Sequence, residues 1–285
     1  MSIVDVVVDM LNAIGGYKLG ILSETATTPI SQASPVAYTA VRGIADTVVR
    51  PVASVVLSLM LVVELARNAS RFDGDGQMGV RIIAGTMFKF VLLIVAVQYA
   101  PEILDALNGI AETIMQGIPN GTQEGAAEQL SLGEQLRSHL NLFNALPVML
   151  LILLPFIISF LALIFAQGII IFRFIELYLL TAFATLPVAF AAHPDTKSIA
   201  VGYLRSYAAV AMQGVTLLLG IYLYQLLVSH GGFNFFADPN QVGNGMSVTQ
   251  WAIQSIGPLS LSGILLIFVV MGSSRLAKSI VGQGG

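Results

Sequence analysis

The longest weakly charged stretch of the chain limits its possible folds most. Between Leu146 and Ala192, 47 residues include only two charged side chains, Arg173 and Glu176. A membrane-spanning helix needs about 20 largely apolar residues. One helix over the whole stretch would be about 70 Å long, at about 1.5 Å per residue. The stretch therefore predicts a membrane protein and contains more apolar residues than one crossing requires.

The composition of the whole chain supports this prediction. Only 10% of the 285 residues are charged and 56% are hydrophobic, whereas an ordinary soluble domain is about 25% charged. The net charge of −3 argues against a basic nucleic-acid-binding domain. The chain has no cysteine and only three histidines, far apart in sequence, so a thiolate or zinc site is not expected. We expect neither a cofactor nor enzymatic activity.

Five segments are predicted to cross the membrane. The third begins at Leu146 and would have to reverse between Phe172 and Leu177 to form two crossings. That hexapeptide contains no Gly, Pro, Asn or Asp, the residues that turns normally use. We therefore predict one crossing that continues as a helix to Pro187 or to His193-Pro194, with six crossings as the alternative. The predicted crossings are Val48–Leu65, Ile82–Ala100, Leu146–Ile171, Ala208–Val228 and Ser255–Ser273.

Basic residues predict the orientation, because cytoplasmic loops of membrane proteins are enriched in Lys and Arg. An N-terminus outside and a C-terminus in the cytoplasm place most of them inside; these are Arg67, Arg71, Arg81, Lys197, Arg205, Arg275 and Lys278. The predicted fold is all-α, with about five transmembrane helices and amphipathic external helices. Its segments are an external helix and linker (1–35), a transmembrane hairpin (36–100), an external loop (101–145), span three with a cytoplasmic helical extension and loop (146–207), and spans four and five with a basic tail (208–285).

Four external features are also predicted. Residues 3–14 form an amphipathic helix, expected to lie on the membrane or on a partner, and a linker rich in Thr, Ser and Pro follows at 25–35. In the external loop, one apolar stripe is formed by Ile103, Leu107, Ile110 and Ile114. An aromatic group typical of a membrane interface is formed by Phe233, Phe235, Phe236 and Trp251.

Charged residues inside predicted spans are candidate functional sites, because each costs roughly 2.5–3.5 kcal/mol at the centre of a span. Lys89 lies seven residues into the second predicted span. It could line a polar seam or pore, extend its ammonium group to the headgroups, or pair with Glu64. Arg173 and Glu176 are spaced to pair on one helix face, either as a subunit or gating contact or as the end of the span.

The helix after Glu176 would leave the bilayer with an apolar surface. Its exposed side chains would include Leu179, Phe183 and Leu186. Another chain or the membrane normally covers such a surface. We therefore treat these three residues as a candidate assembly surface.

Several sequence motifs of the chain resemble those of one protein family. They are Arg173-x-x-Glu176, Pro187-Val188-Ala189-Phe190-Ala191, the Thr196-Lys197 loop before Tyr203-Leu204-Arg205, and Ser34-Pro35 to Arg71-Phe72-Asp73 ahead of Met87-Phe88-Lys89-Phe90. Over about residues 35–280, the chain is similar to TrbL-like polytopic inner-membrane subunits of type IV secretion machines, in the compact form of Gram-positive conjugative elements.

The resemblance implies a non-enzymatic, oligomeric core subunit of a conjugation machine in the bacterial cytoplasmic membrane. Its implied partners are further copies of itself, the secretion ATPases, other membrane subunits and the lipid bilayer. The implied substrate is a DNA–protein complex, and the absence of basic clusters leaves direct DNA contact open. The alternative function is a free-standing transporter of small solutes, although we find no polar site at mid-membrane.

Overall fold

The computed structural model describes residues 2–14, 19–69, 76–119, 132–229 and 238–283. Within these ranges the regular structure is helical, apart from an isolated bridge between Val242 and Met246, and this confirms the all-α prediction. The α-helices are α1 (Ile3–Ile14), α2 (Leu19–Thr27), α3 (Ile30–Ala33), α4 (Pro35–Ile44), α5 (Arg50–Ala69), α6 (Gly76–Gln98), α7 (Ala100–Gly117), α8 (Leu132–Leu136), α9 (Leu142–Ala182), α10 (Thr185–Ala189), α11 (Lys197–Ser229) and α12 (Val248–Ile280). A π-helix, Ala45–Val49, joins α4 to α5.

Five helical stretches of the described chain are long and apolar enough to span a membrane. They are Pro35–Ala69, Gly79–Gln98, Leu142–Ala182, Lys197–Leu227 and Val248–Ile280. The prediction of five spanning helices is therefore confirmed. The third stretch is one helix without a reversal at residues 172–177, as the absence of turn-forming residues there predicted.

The chain divides into two compact units. The first comprises Met1–Thr28, Ile114–Phe172 and Gln213–Leu276, and the second comprises Pro29–Thr113, Arg173–Met212 and Ala277–Gly285. Both units are assembled from segments that are distant in the sequence. Contacts between residues that are far apart in the sequence therefore hold each unit together.

In the first unit the N-terminal helix packs against the chain itself. The apolar face of α1, including Val8 and Leu11, joins a buried cluster with Leu136 of α8. The Asn12 side chain accepts a hydrogen bond of 2.9 Å from the Gly133 backbone N–H. A Cβ atom at Gly133 would lie 2.2 Å from the Val8 carbonyl oxygen, so this close approach requires glycine. The amphipathic helix is confirmed, but its apolar face covers its own chain, not a membrane surface.

An ion pair reinforces the α1–α8 contact. Arg137 Nη2 lies 3.0 Å from Asp5 Oδ1. Hydrogen bonds from the backbone N–H and hydroxyl of Ser2, together with the charge of Arg137, lower the pKa of Asp5 below its ordinary value. Asp5 therefore stays charged, and the pair intact, at neutral pH.

Trp251 occupies the centre of the same buried cluster. Its side chain is fully buried, in the cluster that also contains Leu11, Val148 and Leu259. The expectation of an interfacial Trp251 was therefore wrong, because the indole fills the junction of α1, α9 and α12. The other members of the expected aromatic group, Phe233, Phe235 and Phe236, lie outside the described residues.

The second unit contains a long antiparallel helical hairpin. One arm runs without interruption from Pro35 to Ala69, 35 residues or about 52 Å by helical rise, whereas the hydrocarbon core is about 30 Å thick. Hydrogen bonds along the hairpin fix its register; they join Asn68 to Thr86 (2.9 Å), Arg50 to the Gln98 carbonyl (3.2 Å), Arg42 to Glu102 (2.9 Å) and Tyr38 to Asp105 (2.7 Å). One end of the hairpin is therefore joined by ionic contacts.

The linker expected at residues 25–35 is largely helical. Helices α2 and α3 cover much of it, with breaks next to Pro29 and Ser34. Ser34 caps α4 because its hydroxyl accepts the Ala37 N–H at 3.3 Å, and Pro35 occupies the first helical position. A serine cap and a proline at the first helical position both favour the start of a helix. Ser34 and Pro35 therefore mark the boundary between α3 and α4.

Helix α7 confirms the predicted amphipathic helix but buries a different face. Ile103 and Ile110 are 42% and 58% exposed, whereas Leu104 and Asn108 are 1% and 2% exposed. The buried face carries hydrogen-bonded polar groups: Asn108 Nδ2 donates to Glu112 Oε1 at 2.6 Å. The isoleucine stripe is left on the outside, where lipid or another chain can cover it.

Candidate functional site

A break in the long third helix creates the most unusual backbone in the second unit. Helix α9 ends at Ala182, two turn residues follow, and α10 starts at Thr185. In a continuing helix, the ring of Pro187 would clash with the carbonyl of Phe183, four residues earlier. As the third residue of a new helix, proline is accommodated in the first turn. The expected continuation to Pro187 or to His193-Pro194 was therefore wrong, since α9 ends five residues before Pro187 and eleven before His193.

After the break the chain remains irregular until Lys197. Helix α10 is followed by a 3₁₀ turn, Phe190–Ala192, and by a turn at residues 193–196. This stretch, residues 183–196, is called the broken segment below. Non-helical backbone at membrane depth requires protein partners for its polar groups, because lipid offers none.

The broken segment packs on the apolar part of the hairpin. Ala189 and Ala192 are fully buried and share a cluster with Ala53, Leu57 and Phe90 of α5 and α6. Alanine at these positions lets the backbone of the broken segment approach both helices closely. Since α5 and α6 are spanning helices by length and composition, the broken segment lies beside membrane-spanning structure.

Three side chains donate hydrogen bonds to carbonyl groups in or next to the broken segment. Lys89 Nζ donates to the Ala192 carbonyl oxygen at 2.6 Å. Thr196 Oγ1 donates to the Phe190 carbonyl oxygen at 2.6 Å. The Tyr203 hydroxyl donates to the carbonyl oxygen of Leu180. Helix ends leave such carbonyls without helical partners, so these side chains cap the break.

Glu64 reaches the same segment from the other helix of the hairpin. Its Oε2 lies 3.6 Å from His193 Nε2, and His193 Nδ1 accepts the Asp195 N–H at 3.3 Å. Asp195 Oδ2 in turn lies 4.0 Å from Arg67 Nη1. The C-terminal end of α5 and the turn before α11 therefore contact each other within this unit.

The structure thus brings two predicted site residues to one place without pairing them. Lys89 and Glu64 both contact residues 192–193, but the ion pairs of the described residues do not join them to each other. The direct Lys89–Glu64 pair offered as one alternative is not formed. The sequence reasoning missed Thr196 and Tyr203 as capping residues. The available signal was Pro187, which lies in the first turn of α10 and not at the end of α9.

Arg173 and Glu176 lie in different surroundings on α9. Arg173 is 3% exposed and its guanidinium carbon lies 5.5 Å from the centre of the Phe174 ring. Glu176 is half-buried. Among the ion pairs of the described residues, none joins these two side chains. Neighbouring polar contacts tie α9 to α3: the Tyr178 hydroxyl donates to the Ile30 carbonyl oxygen at 2.8 Å.

The three residues of the candidate assembly surface separate in the structure. Leu179 and Phe183 are 57% and 51% exposed. Leu186 instead packs partly buried against the cluster around Ala53 and Leu57. Of the three candidate residues, only Leu179 and Phe183 are exposed.

The described residues do not gather into a metal site: no group of three or more His, Asp or Glu side chains has suitable geometry. The arrangement offers packing, capping and ion pairing. These contacts hold the broken segment against the hairpin.

Comparison with known proteins identifies the family. Residues 18–185, more than half of the chain, match the family described as TrbL/VirB6 plasmid conjugal transfer like protein. The matched region contains the hairpin, α9 and the start of the broken segment. Comparison with curated proteins and with solved structures gives no significant match. The five apolar helices and this family match together show that the chain is a membrane protein that belongs to the TrbL/VirB6 conjugal transfer family.

Proposed function

We propose that the protein is a non-enzymatic channel-core or scaffold subunit of a conjugative type IV secretion system in the bacterial cytoplasmic membrane. In this role it helps to move a DNA–protein substrate across that membrane. The observation that carries the proposal is the family match over residues 18–185. The five long apolar helices are compatible with it.

The surface of the helices supports assembly with other membrane components. In the apolar windows of the stretches Pro35–Ala69 and Gly79–Gln98, only 17% of residues are buried. Lipid or neighbouring subunits must cover the rest. Leu179 and Phe183 add an exposed apolar pair close to the break after α9. We propose further copies of this chain, the secretion ATPases and other membrane subunits as partners.

We further propose that the end of α5 at Arg67 and the turn at Asp195 face the cytoplasm, with the N-terminus outside. The proposal rests on the preference of basic loops for the cytoplasm. Because the chain has no cysteine, single introduced cysteines can report on which side of the membrane a residue lies. Asp195→Cys is expected to react with an impermeant maleimide only after cells are opened, and Ser2→Cys in intact spheroplasts. The reverse labelling pattern would disprove this orientation.

A deletion of the gene in a donor strain tests the main function. We expect conjugative transfer to fall to background and to return with the wild-type chain supplied in trans. Transfer at the wild-type rate without the protein would contradict the proposal. Native mass spectrometry of the extracted protein adds an independent measurement, for which we expect a closed homo-oligomer.

One observation favours the alternative, a small-solute transporter. Transporter sites are typically formed by discontinuous helices near the middle of the bilayer, and the broken segment is such an interruption beside α5 and α6. Purified protein in proteoliposomes distinguishes the two functions. Solute flux without the other transfer proteins would support the transporter, whereas a tight vesicle together with a transfer defect supports the scaffold.

A further inference from the structure

A groove between α5 and α6 has polar residues at one end and apolar walls along the rest. It encloses about 390 Å³. Arg50 and Gln98 lie at one end, and Leu57, Leu61 and Ile94 line the interior. The polar end coincides with the point where the apolar run of α5 begins and that of α6 stops. The groove therefore changes from polar to apolar along its length, as an amphipathic ligand does.

Two serines in the groove do not make its interior polar. The Ser54 hydroxyl donates to the Arg50 carbonyl oxygen and the Ser58 hydroxyl to the Ser54 carbonyl oxygen, each at 2.9 Å. Both donors are therefore occupied within α5. Their small size widens the groove, while its wall remains suited to a hydrocarbon chain.

At the polar end Arg50 lines the groove, and Asp46, one helical turn earlier, pairs with it. Arg50 Nη2 lies 2.6 Å from Asp46 Oδ1 and also donates to the Gln98 carbonyl oxygen at 3.2 Å. The two side chains are 31% and 47% exposed. An arginine has five N–H donors and a carboxylate about four acceptor positions, so both groups retain hydrogen-bonding capacity. This pair complements a ligand that itself carries both charges.

The dimensions of the groove fit one leaflet of a bilayer. Arg50 and Leu61 are eleven residues apart on one helix, or about 16 Å by helical rise. Half of the hydrocarbon core is about 15 Å thick. An acyl chain whose headgroup lies at Arg50 would therefore follow the groove to about the middle of the membrane.

We propose that this groove is a binding site for phosphatidylethanolamine. The phosphate lies at Arg50, the ammonium group donates to Asp46, and one acyl chain packs against Leu57, Leu61 and Ile94. A helix from a second copy would fill the apolar part, but its apolar residues would bury the Arg50–Asp46 pair without complementary charge. The charges at the polar end therefore favour the lipid.

Native mass spectrometry of the full-length, delipidated protein in detergent tests the site. Phosphatidylethanolamine, phosphatidylcholine and phosphatidylglycerol with identical acyl chains are added separately. We expect phosphatidylethanolamine to be retained at least fivefold more than the other two, since the choline headgroup has no N–H donor and phosphatidylglycerol has no cation. Asp46→Asn should abolish this preference.

Groove-filling variants locate the binding. Ser54→Phe should reduce retained phosphatidylethanolamine at least fivefold, whereas Val63→Phe, at an exposed position of α5 outside the groove, should not. Ile94→Trp fills the groove from α6 and replaces Ser54→Phe if that variant does not fold. Equal retention by the groove-filling variant and Val63→Phe would overturn the proposal, as would equal retention of the three lipids. A loss of oligomer mass at unchanged lipid retention would assign the groove to a second copy and also overturn it.

Discussion

The ammonium group of Lys89 is hydrogen-bonded to the carbonyl oxygen of Ala192, 103 residues further along the chain, at 2.6 Å. Ala192 ends the 3₁₀ turn of the broken segment, where helical carbonyls have no partners within the helix. A cation at a helix C-terminus is also favoured electrostatically. Lys89 thus anchors the broken segment to α6.

Removal of this donor should destabilise the protein. Lys89→Met leaves the Ala192 carbonyl buried without its partner, which costs about 1–3 kcal/mol. At about 2–4 °C for each kcal/mol in chains of 150–250 residues, the apparent melting temperature in detergent should fall by several degrees. Lys89→Arg retains a donor and should lose less. Arg81→Met, at an exposed position of the same helix, is the control; a melting temperature equal to that of this control would contradict the role of Lys89.

The ionic end of the hairpin should contribute weakly but measurably. Arg42 lies 2.9 Å from Glu102 and 3.6 Å from Asp105. Partly exposed pairs of this kind are worth about 0.2–1 kcal/mol each. We expect a double-mutant cycle of Arg42→Gln and Glu102→Gln, followed by thermal unfolding, to give a coupling energy in that range, reduced by salt. A coupling energy of zero at low salt would show that this contact does not stabilise the hairpin.

The contact between α1 and α8 should not tolerate a side chain at Gly133. Gly133→Ala would bring its methyl group within 2.2 Å of the Val8 carbonyl oxygen, and the resulting shift should cost about 1–3 kcal/mol. Gly109→Ala is the matched control, because nothing lies within 4 Å of the added atom there. Helix propensity favours alanine in both variants. If both proteins melt at or above the wild-type temperature, the close approach is not maintained in the membrane protein.

The exposed apolar pair on and after α9 should affect assembly more than folding. We expect the double variant Leu179→Ser, Phe183→Ser to lower the oligomer mass in native mass spectrometry while the monomer stays helical by circular dichroism. The control is Leu276→Ser on α12, at a position that is 59% exposed. An unchanged oligomer in the double variant would show that lipid, and not another subunit, covers these residues.

The sequence by itself determined the spanning helices and the family. Runs of apolar residues long enough to cross a bilayer are local properties, so the crossings and the unbroken passage through residues 172–177 could be predicted. The amphipathic periodicity of α1 and α7 is also local, and both helices are present. The resemblance drawn from short motifs agrees with the family match over residues 18–185.

Tertiary structure alone decided which faces are buried and which side chains satisfy the carbonyl groups of the broken segment. In a membrane protein an apolar face gains little from protein burial, because lipid tails are also apolar. Helix α7 accordingly buries Leu104 and Asn108 and leaves Ile103 exposed. The contact of Lys89 with Ala192 joins residues that are 103 positions apart in the chain. Polar groups must find their partners within the protein, and sequence periodicity does not specify which ones they find.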